Sequence, residues 1–327
     1  MIFDLMLMLG GVTVFVLGLR FIGENVEKAT GKRLKRALYV ATANPFSAAL
    51  LGMGTTAVAQ SSVAIDMAVV SLADAGAIPY IGACAVVMGA NIGTTVTAQL
   101  VSFSFSTFSV TALGSLVCFI GVLLSGAFSE KYASTGNILI GFGLIFIGIE
   151  IMTEKIVCFY DSVIFQTLFS SVSLPIMLLN GIFVTAICRS SSVVTSILVI
   201  LAADGKVDVY GAMFLMLGAN IGSCFAVIDA TKKKGELSKS VAVFNLLFNV
   251  FGAVLFIAAF AFLKNAFSLA MNFENSPARA VANFHTFFNT ASAILLFPFI
   301  KPLGRLSAAM VFGKKIKKRA TKLGNAA

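Results

Sequence analysis

The sequence predicts an all-α polytopic membrane protein: two inverted-topology repeats, each with a re-entrant helical hairpin and discontinuous helices, plus a final transmembrane helix. Three observations predict it. The chain is 58% hydrophobic, only 12% charged and has a mean hydropathy of +0.97; a soluble protein carries about 25% charged residues. Residues 52–95 also fall on residues 181–224 at a shift of 129 without a gap, with 16 of 44 positions identical. Those identities concentrate on Gly, Ser, Thr and Asn, including Thr56/Thr185, Ser61/Ser190, Ser62/Ser191 and the whole of "GANIG". Finally, equivalent loops of the two halves carry opposite charge bias, as two copies inserted upside down require.

In chain order, repeat 1 is read over 1–128. Its first crossing, 2–23, has Asp4 and no basic leader or cleavage site, so it is expected to be a retained helix. A loop over 24–36 holds Lys28, Lys32, Arg33, Lys35 and Arg36 against two Glu, and is expected in the cytoplasm. Residues 45–74 are apolar but interrupted by "TTAVAQSS". About 30 residues are too few for two crossings and suit a hairpin that enters halfway. Crossings follow at 77–100 and 110–128. Repeat 2 is read over 136–263, with crossings at 136–152, 207–230 and 238–263. Its acidic loop 150–161 (Glu150, Glu154, Asp161) is expected outside, and its hairpin 173–203 is interrupted by "TAICRSSS". The link after the first "GANIG" segment, "SFSFSTFS", is uncharged; after the second it is "TKKKGELSK". A final helix at 280–300 and a basic tail at 301–327 complete the chain. Seven crossings place the N-terminus outside and the tail in the cytoplasm of a cell (inner) membrane. The net charge of +10 resides in loops and tail, where it sets orientation and contacts anionic lipid; nucleic acid is not an expected partner. Cys84, Cys118, Cys158, Cys188 and Cys224 form no CxxC and read as small packing residues.

Non-helical backbone at membrane depth is tolerated only inside protein or beside a watery cavity, so the two polar tips are expected to meet centrally. At each tip a second arm begins, and its first N–H groups are unpaired and electropositive. Serine hydroxyls donate from the same place, which suits a small oxyanion. The candidate anion ligands are Ser61, Ser62, Arg189, Ser190, Ser191 and Ser192. Oxygen ligands for a coupling cation are sought in Thr56, Gln60, Asp66, Asn91, Thr94, Thr95, Thr185, Asn220 and Ser223, with paired glycines in "GANIG" loosening the helix and freeing carbonyls. The alternative use of these small residues is close helix packing.

The repeated Q-S-S-S-like hairpins, the repeated "GANIG" (the first continuing "GANIGTT") and a last helix reading "ARAVANFHTFFN" resemble the type II sodium/phosphate cotransporter family over about residues 10 to 300. The resemblance implies a secondary transporter, not an enzyme. It implies Na⁺-coupled import of inorganic phosphate by alternating access, the anion and Na⁺ being held at the two tips. Here those tips are Gln60, Ser61, Ser62, Val63 and Arg189, Ser190, Ser191, Ser192. Many bacterial members carry a further cytosolic helical domain; this sequence resembles a short member that ends in a basic tail. No cofactor is expected beyond Na⁺ as coupling ion. A homodimer stays open.

Two departures matter. Val63 removes a hydroxyl from the first tip, and Arg189 replaces a glutamine at the second. Arginine has five donors and no acceptor, so it repels Na⁺ and holds an oxyanion bidentately. Arg189 is therefore expected to stand in for one bound sodium and lower the Na⁺:anion ratio. Asp66 is expected either to neutralise Arg189 or to bind Na⁺ or H⁺. His285, the single histidine, sits with Asn283 and Asn289 and reads as an interhelical hydrogen-bonder, with a proton relay as the alternative. Asn245 and Asn249 read as interhelical polar contacts, and Asp229 as a solvated helix end. Export, or another oxyanion such as sulfate, arsenate or a phosphonate, with altered Na⁺ or H⁺ coupling, is the rival within the class. An intramembrane lipid-pyrophosphate phosphatase is the rival outside it, and it needs an acid/base or metal-binding set that the chain barely offers.

Overall fold

A computed structural model describes residues 2–105, 110–127, 130–156, 160, 162–169, 173–271 and 276–313. Among them there are helices and turns and no strand. Cys158, Asp161, the second half of the "SFSFSTFS" link and the tail from residue 314 lie outside the described residues.

The first helix, α1 (Ile2–Ala41), has 40 residues and runs straight through the segment expected to be a loop at 24–36. Glu, Lys, Arg, Leu and Ala there are good helix formers, and Glu24 precedes Lys28 by one turn. The segment is polar, but polarity does not break a helix. The first hairpin follows as α2 (Pro45–Ala59) and α3 (Ser62–Asp74). Then come α4 (Tyr80–Gly93), α5 (Thr95–Phe103), α6 (Val110–Ala127), α7 (Glu130–Lys155) and a short α8 (Val163–Phe169) that the sequence reading lacked. The second hairpin is α9 (Leu174–Cys188) and α10 (Ser191–Ala203), followed by α11 (Val209–Thr231), α12 (Glu236–Met271) and α13 (Pro277–Leu296). A 3₁₀ turn, Phe297–Phe299, leads to α14 (Ile300–Phe312). The tail expected from 301 is thus helical over its first part. It is tied back through the Tyr80 hydroxyl, which donates to the Gly304 carbonyl at 3.0 Å.

Among the described residues, six helical stretches are long and apolar enough to cross a membrane: Phe3–Val26, Tyr80–Phe103, Tyr132–Lys155, Val209–Thr231, Glu236–Phe262 and Pro277–Phe312. The expected crossing at 110–128 is helical, but its apolar stretch, Thr111–Gly126, is shorter than these six. Each hairpin arm has 13 or 15 residues, about 20–22 Å, less than the ~30 Å hydrocarbon core. Exposed Phe3, Leu113, Leu116 and Phe119 cover the outside of α1 and α6 with apolar surface.

The two hairpins repeat each other's packing. A Cβ on Gly52, Gly89 or Gly93 would collide with the backbone of Val86, Ala49 or Met53, joining α2 to α4. At the same shift of 129, Gly181, Gly218 and Gly222 meet Leu215, Leu178 and Ile182, joining α9 to α11. The "GANIG" glycines therefore bring backbones together. They do not unwind α11, which runs unbroken through 218–222; in the first copy the helix is interrupted just after the motif, at Thr94.

Helix α11 also measures where the hairpins leave. Asp204, at the exit of the second hairpin, accepts from the Tyr160 hydroxyl at 2.7 Å, just before α11 begins. Ser71 and Asp74, at the exit of the first, bind Lys234 Nζ (2.7 Å) and the Gly235 amide (3.2 Å), just after α11 ends. The two exits thus lie at opposite ends of a 23-residue helix, about 34 Å apart.

Candidate functional site

Each hairpin reverses within two residues. Gln60 (φ 53°, ψ 25°) and Arg189 (φ 56°, ψ 19°) are the two non-glycine residues with positive φ among those described. Left-handed backbone costs an L-residue roughly 1–2 kcal/mol, and it ends each first arm. The Gln60 amide donates to the Thr56 carbonyl at 2.8 Å and the Arg189 amide to the Thr185 carbonyl at 2.7 Å. The following serine is extended and caps the next helix. Ser61 Oγ accepts from the Ala64 amide at 3.3 Å, and Ser190 Oγ from the Val193 amide at 3.5 Å. Serine is a favoured N-cap because its short hydroxyl reaches the unpaired amides of the first turn. Glycine would form the left-handed turn without strain, yet both positions keep a long polar side chain.

Both tips open into one cavity of about 1110 Å³. Gln60, Ser61, Ser62 and Val63 line it from one side, and Arg189, Ser190, Ser191 and Ser192 from the other. Arg20 and Glu24 of α1 and Ala226 and Ala230 of α11 also line it. All six candidate anion ligands therefore share a single space with the N-termini of α3 and α10.

Of the cation candidates, Gln60 alone lines this cavity; the other eight do not. Asp66 is buried; its Oδ2 accepts from Asn245 Nδ2 at 3.2 Å, and its Oδ1 has no hydrogen-bond partner. Asn91 donates to Asn245 Oδ1 at 3.1 Å, and Asn249 donates to Asn91 Oδ1 at 3.2 Å. Asn249 Oδ1 is also buried without a partner. Asn220 donates to Asn289 Oδ1 at 3.3 Å and lies 3.2 Å from His285 Nε2, which places His285 in interhelical bonding. Thr56 and Thr185 are fully buried, each with an unpartnered hydroxyl, one turn before the tips. Thr94, Thr95 and Ser223 donate to carbonyls of their own helices, to Ala90, Ile92 and Asn220.

Two partners differ from expectation. Arg189 does not meet Asp66: its Nη2 donates to Asp229 Oδ2 at 2.8 Å, and Lys232 holds Asp229 Oδ1 at 2.7 Å. Asp229 is exposed near the end of α11, as expected, and meets the site only through its bond to Arg189. Gln60 is held by the Thr97 hydroxyl, which donates to its Oε1 at 2.8 Å. Asn245 and Asn249 join helices as expected, and Asn245 in addition donates to Asp66, with Asn249 bonded to Asn245 Oδ1 at 3.0 Å. The signal for all four was spatial, since they stand 25 to 179 residues from what they touch, except that Asn245 and Asn249 lie one turn apart on one helix face.

Comparison with known proteins places these features. YjbB of Escherichia coli strain K12, provisionally named an inorganic phosphate export protein, is 26% identical over 307 residues, 93% of this chain and 55% of its own length. The corresponding Salmonella typhimurium protein is 27% identical over 310 residues, again 55% of its length. The uncharacterised YqeW of Bacillus subtilis strain 168 is 27% identical over 310 residues, 93% of this chain and 97% of its own. The chain thus spans about half the length of the YjbB relatives it matches. No solved structure matches it. The family model described as Na+/Pi-cotransporter matches residues 14–154 and 165–274. With six apolar helices and two serine-capped hairpins facing one cavity, the chain is a multi-pass membrane protein that belongs to the Na⁺/Pi-cotransporter family.

Proposed function

We propose that the chain is a secondary transporter that carries inorganic phosphate through the cavity between the hairpin tips, coupled to Na⁺. One observation carries the reading: six donor side chains and two helix N-termini from separate halves of the chain line one space. A tetrahedral dianion needs many donors converging from several sides. Serine hydroxyls, first-turn amides and a guanidinium fork supply them. Strained Gln60 and Arg189 support it too, because strain retained against an available glycine points to a side chain in use.

Na⁺ is assigned to the buried polar cluster beside the cavity. Asp66 Oδ1 and Asn249 Oδ1 are two unpartnered acceptors in one hydrogen-bonded group. An unpaired carboxylate is costly in a protein interior, and hard oxygen ligands suit a small cation. Thr56, Gln60, Asn91, Thr94, Thr95, Thr185, Asn220 and Ser223 remain the further oxygen sources for this ion or a second one.

The hairpin exits at opposite ends of α11 support an inverted pair of repeats and hence alternating access. Positive charge follows α11 at Lys232, Lys233 and Lys234, and the far half of α1 is also basic. The positive-inside bias puts that end in the cytoplasm, with the cavity wall of Arg20, Glu24 and Ala230 on the same side. We read the direction as uptake down a Na⁺ gradient. Export is the second reading, favoured by the provisional name of the YjbB relatives.

The test is [³²P]phosphate flux in proteoliposomes with Na⁺ gradients imposed inward and outward, against sulfate and arsenate competitors. Accumulation that follows the Na⁺ gradient supports coupled transport. Phosphate flux indifferent to Na⁺ removes the coupling, and no phosphate flux removes the substrate.

A further inference from the structure

The guanidinium at the second tip already has an anionic partner. Arg189 Nη2 donates to Asp229 Oδ2 at 2.8 Å, on the turn of α11 whose Ala226 and Ala230 line the cavity. A carboxylate and a phosphate offer arginine the same pair of oxygens. We propose that Asp229 is an internal competitor for the transported anion. Its carboxylate holds Arg189, and an incoming oxyanion must displace it. This rests on reading the tip cavity as an oxyanion site and adds to it a residue that sets how tightly the anion is held.

Three features make the exchange feasible. The pair is half exposed, 54% for Arg189 and 44% for Asp229, and ion pairs that wet are weak, so a ligand can compete. Asp229 is not stranded when displaced, because Lys232, one turn further on, holds its other oxygen at 2.7 Å. The arrangement is also peculiar to the second hairpin. At the shift of 129, Arg189 corresponds to Gln60, Ala226 to Thr97 and Asp229 to Leu100. The first tip fixes its side chain with a neutral hydrogen bond from Thr97. The second lacks that hydroxyl and reaches one turn further to a carboxylate. The guanidinium is thereby partly neutralised, and it becomes fully available only to a ligand able to replace the carboxylate. Asp229 thus acts through Arg189 as a positioning residue.

The experiment is equilibrium binding of [³²P]orthophosphate to the purified full chain at fixed NaCl. Asp229→Asn is expected to bind about three- to fivefold more tightly, the range an exposed ion pair allows, and Arg189→Gln more weakly. The double variant should match Arg189→Gln alone, because without the guanidinium there is nothing to compete for. Asp229→Ser, which also removes the carboxylate, is expected to reproduce the gain if the asparagine variant is poorly folded. Unchanged or weaker binding in both Asp229 variants overturns the proposal. So does an equal gain in the Arg189→Gln background, which would make the effect a general loss of negative charge. If the wild-type chain binds neither phosphate, sulfate nor arsenate, the oxyanion reading itself falls and this one with it; if it binds and the Asp229 variants do not differ, only this inference falls.

Discussion

The two hairpins share a backbone and differ in charge. Their arms have the same lengths, their tips nearly the same dihedral angles, and their glycines contact the same positions of the neighbouring helix. Laid over one another, however, Gln60 faces Arg189, Val63 faces Ser192 and Asp66 faces Thr195. The first hairpin keeps a neutral tip and buries a carboxylate in its second arm; the second keeps a cation at its tip and a threonine in the equivalent arm position. Thr195, like Asp66, has a buried oxygen without a partner. The repeated backbone thus carries a buried carboxylate in its first copy and a tip cation in its second.

The strongest way to break that comparison is at the shared backbone. Gly52→Leu and Gly181→Leu should each cost at least ~3 kcal/mol, the upper range of overpacking, because the new side chain meets a carbonyl that cannot move aside. Thermal melting in detergent should show the same loss for both. A large loss for one and none for the other would mean that the hairpins are not equivalent supports.

Next is the charge at the second tip. Arg189→Gln makes the tips alike and removes charge-assisted bonds worth ~1.5–3 kcal/mol, so phosphate affinity should fall at least about tenfold. The Na⁺ Hill coefficient of transport should rise as a second cation takes the guanidinium's place. An unchanged coefficient would show that Arg189 does not substitute for a sodium.

The buried carboxylate gives a similar or smaller effect. Asp66→Asn should raise the Na⁺ concentration for half-maximal transport by about tenfold, ~1.4 kcal/mol, while Thr195→Val changes it much less. Equal responses would dissolve the division of labour between the halves. The smallest effect concerns strain. Arg189→Gly, at a half-exposed side chain, should raise the unfolding free energy by up to ~1 kcal/mol by relieving left-handed backbone, while transport falls; Gln60→Gly should gain less, because it also strands the buried Thr97 hydroxyl. Loss of stability instead would mean that the side chains hold the tips together.

Much of the architecture was legible because membrane insertion leaves few options. Apolar length separated full crossings from hairpin arms, and the hairpin arms fall within the segments read as 45–74 and 173–203. Ser61 and Ser190 announced new helices through their capping chemistry. Where helix ends rest on polarity alone the reading was weaker: the basic stretch at 24–36 is helix, and α14 occupies the start of the expected tail. The "GANIG" repeat was recognised as a unit, yet its glycines proved to serve packing against α2 and α9, a role that needs the neighbouring backbone to be seen.

By itself, then, the amino-acid sequence determined the helical membrane class, the duplication and the two serine-capped tips. Each of these depends on local properties: apolar length, side-chain hydroxyls and spacing along the chain. The tertiary structure alone decided who pairs with whom. Arg189 takes Asp229 and not Asp66 because α11 passes the second tip within reach of a guanidinium, while Asp66 turns to Asn245 of α12. Electrostatic attraction acts over distance in space, and the helical packing, not the order of residues, sets that distance.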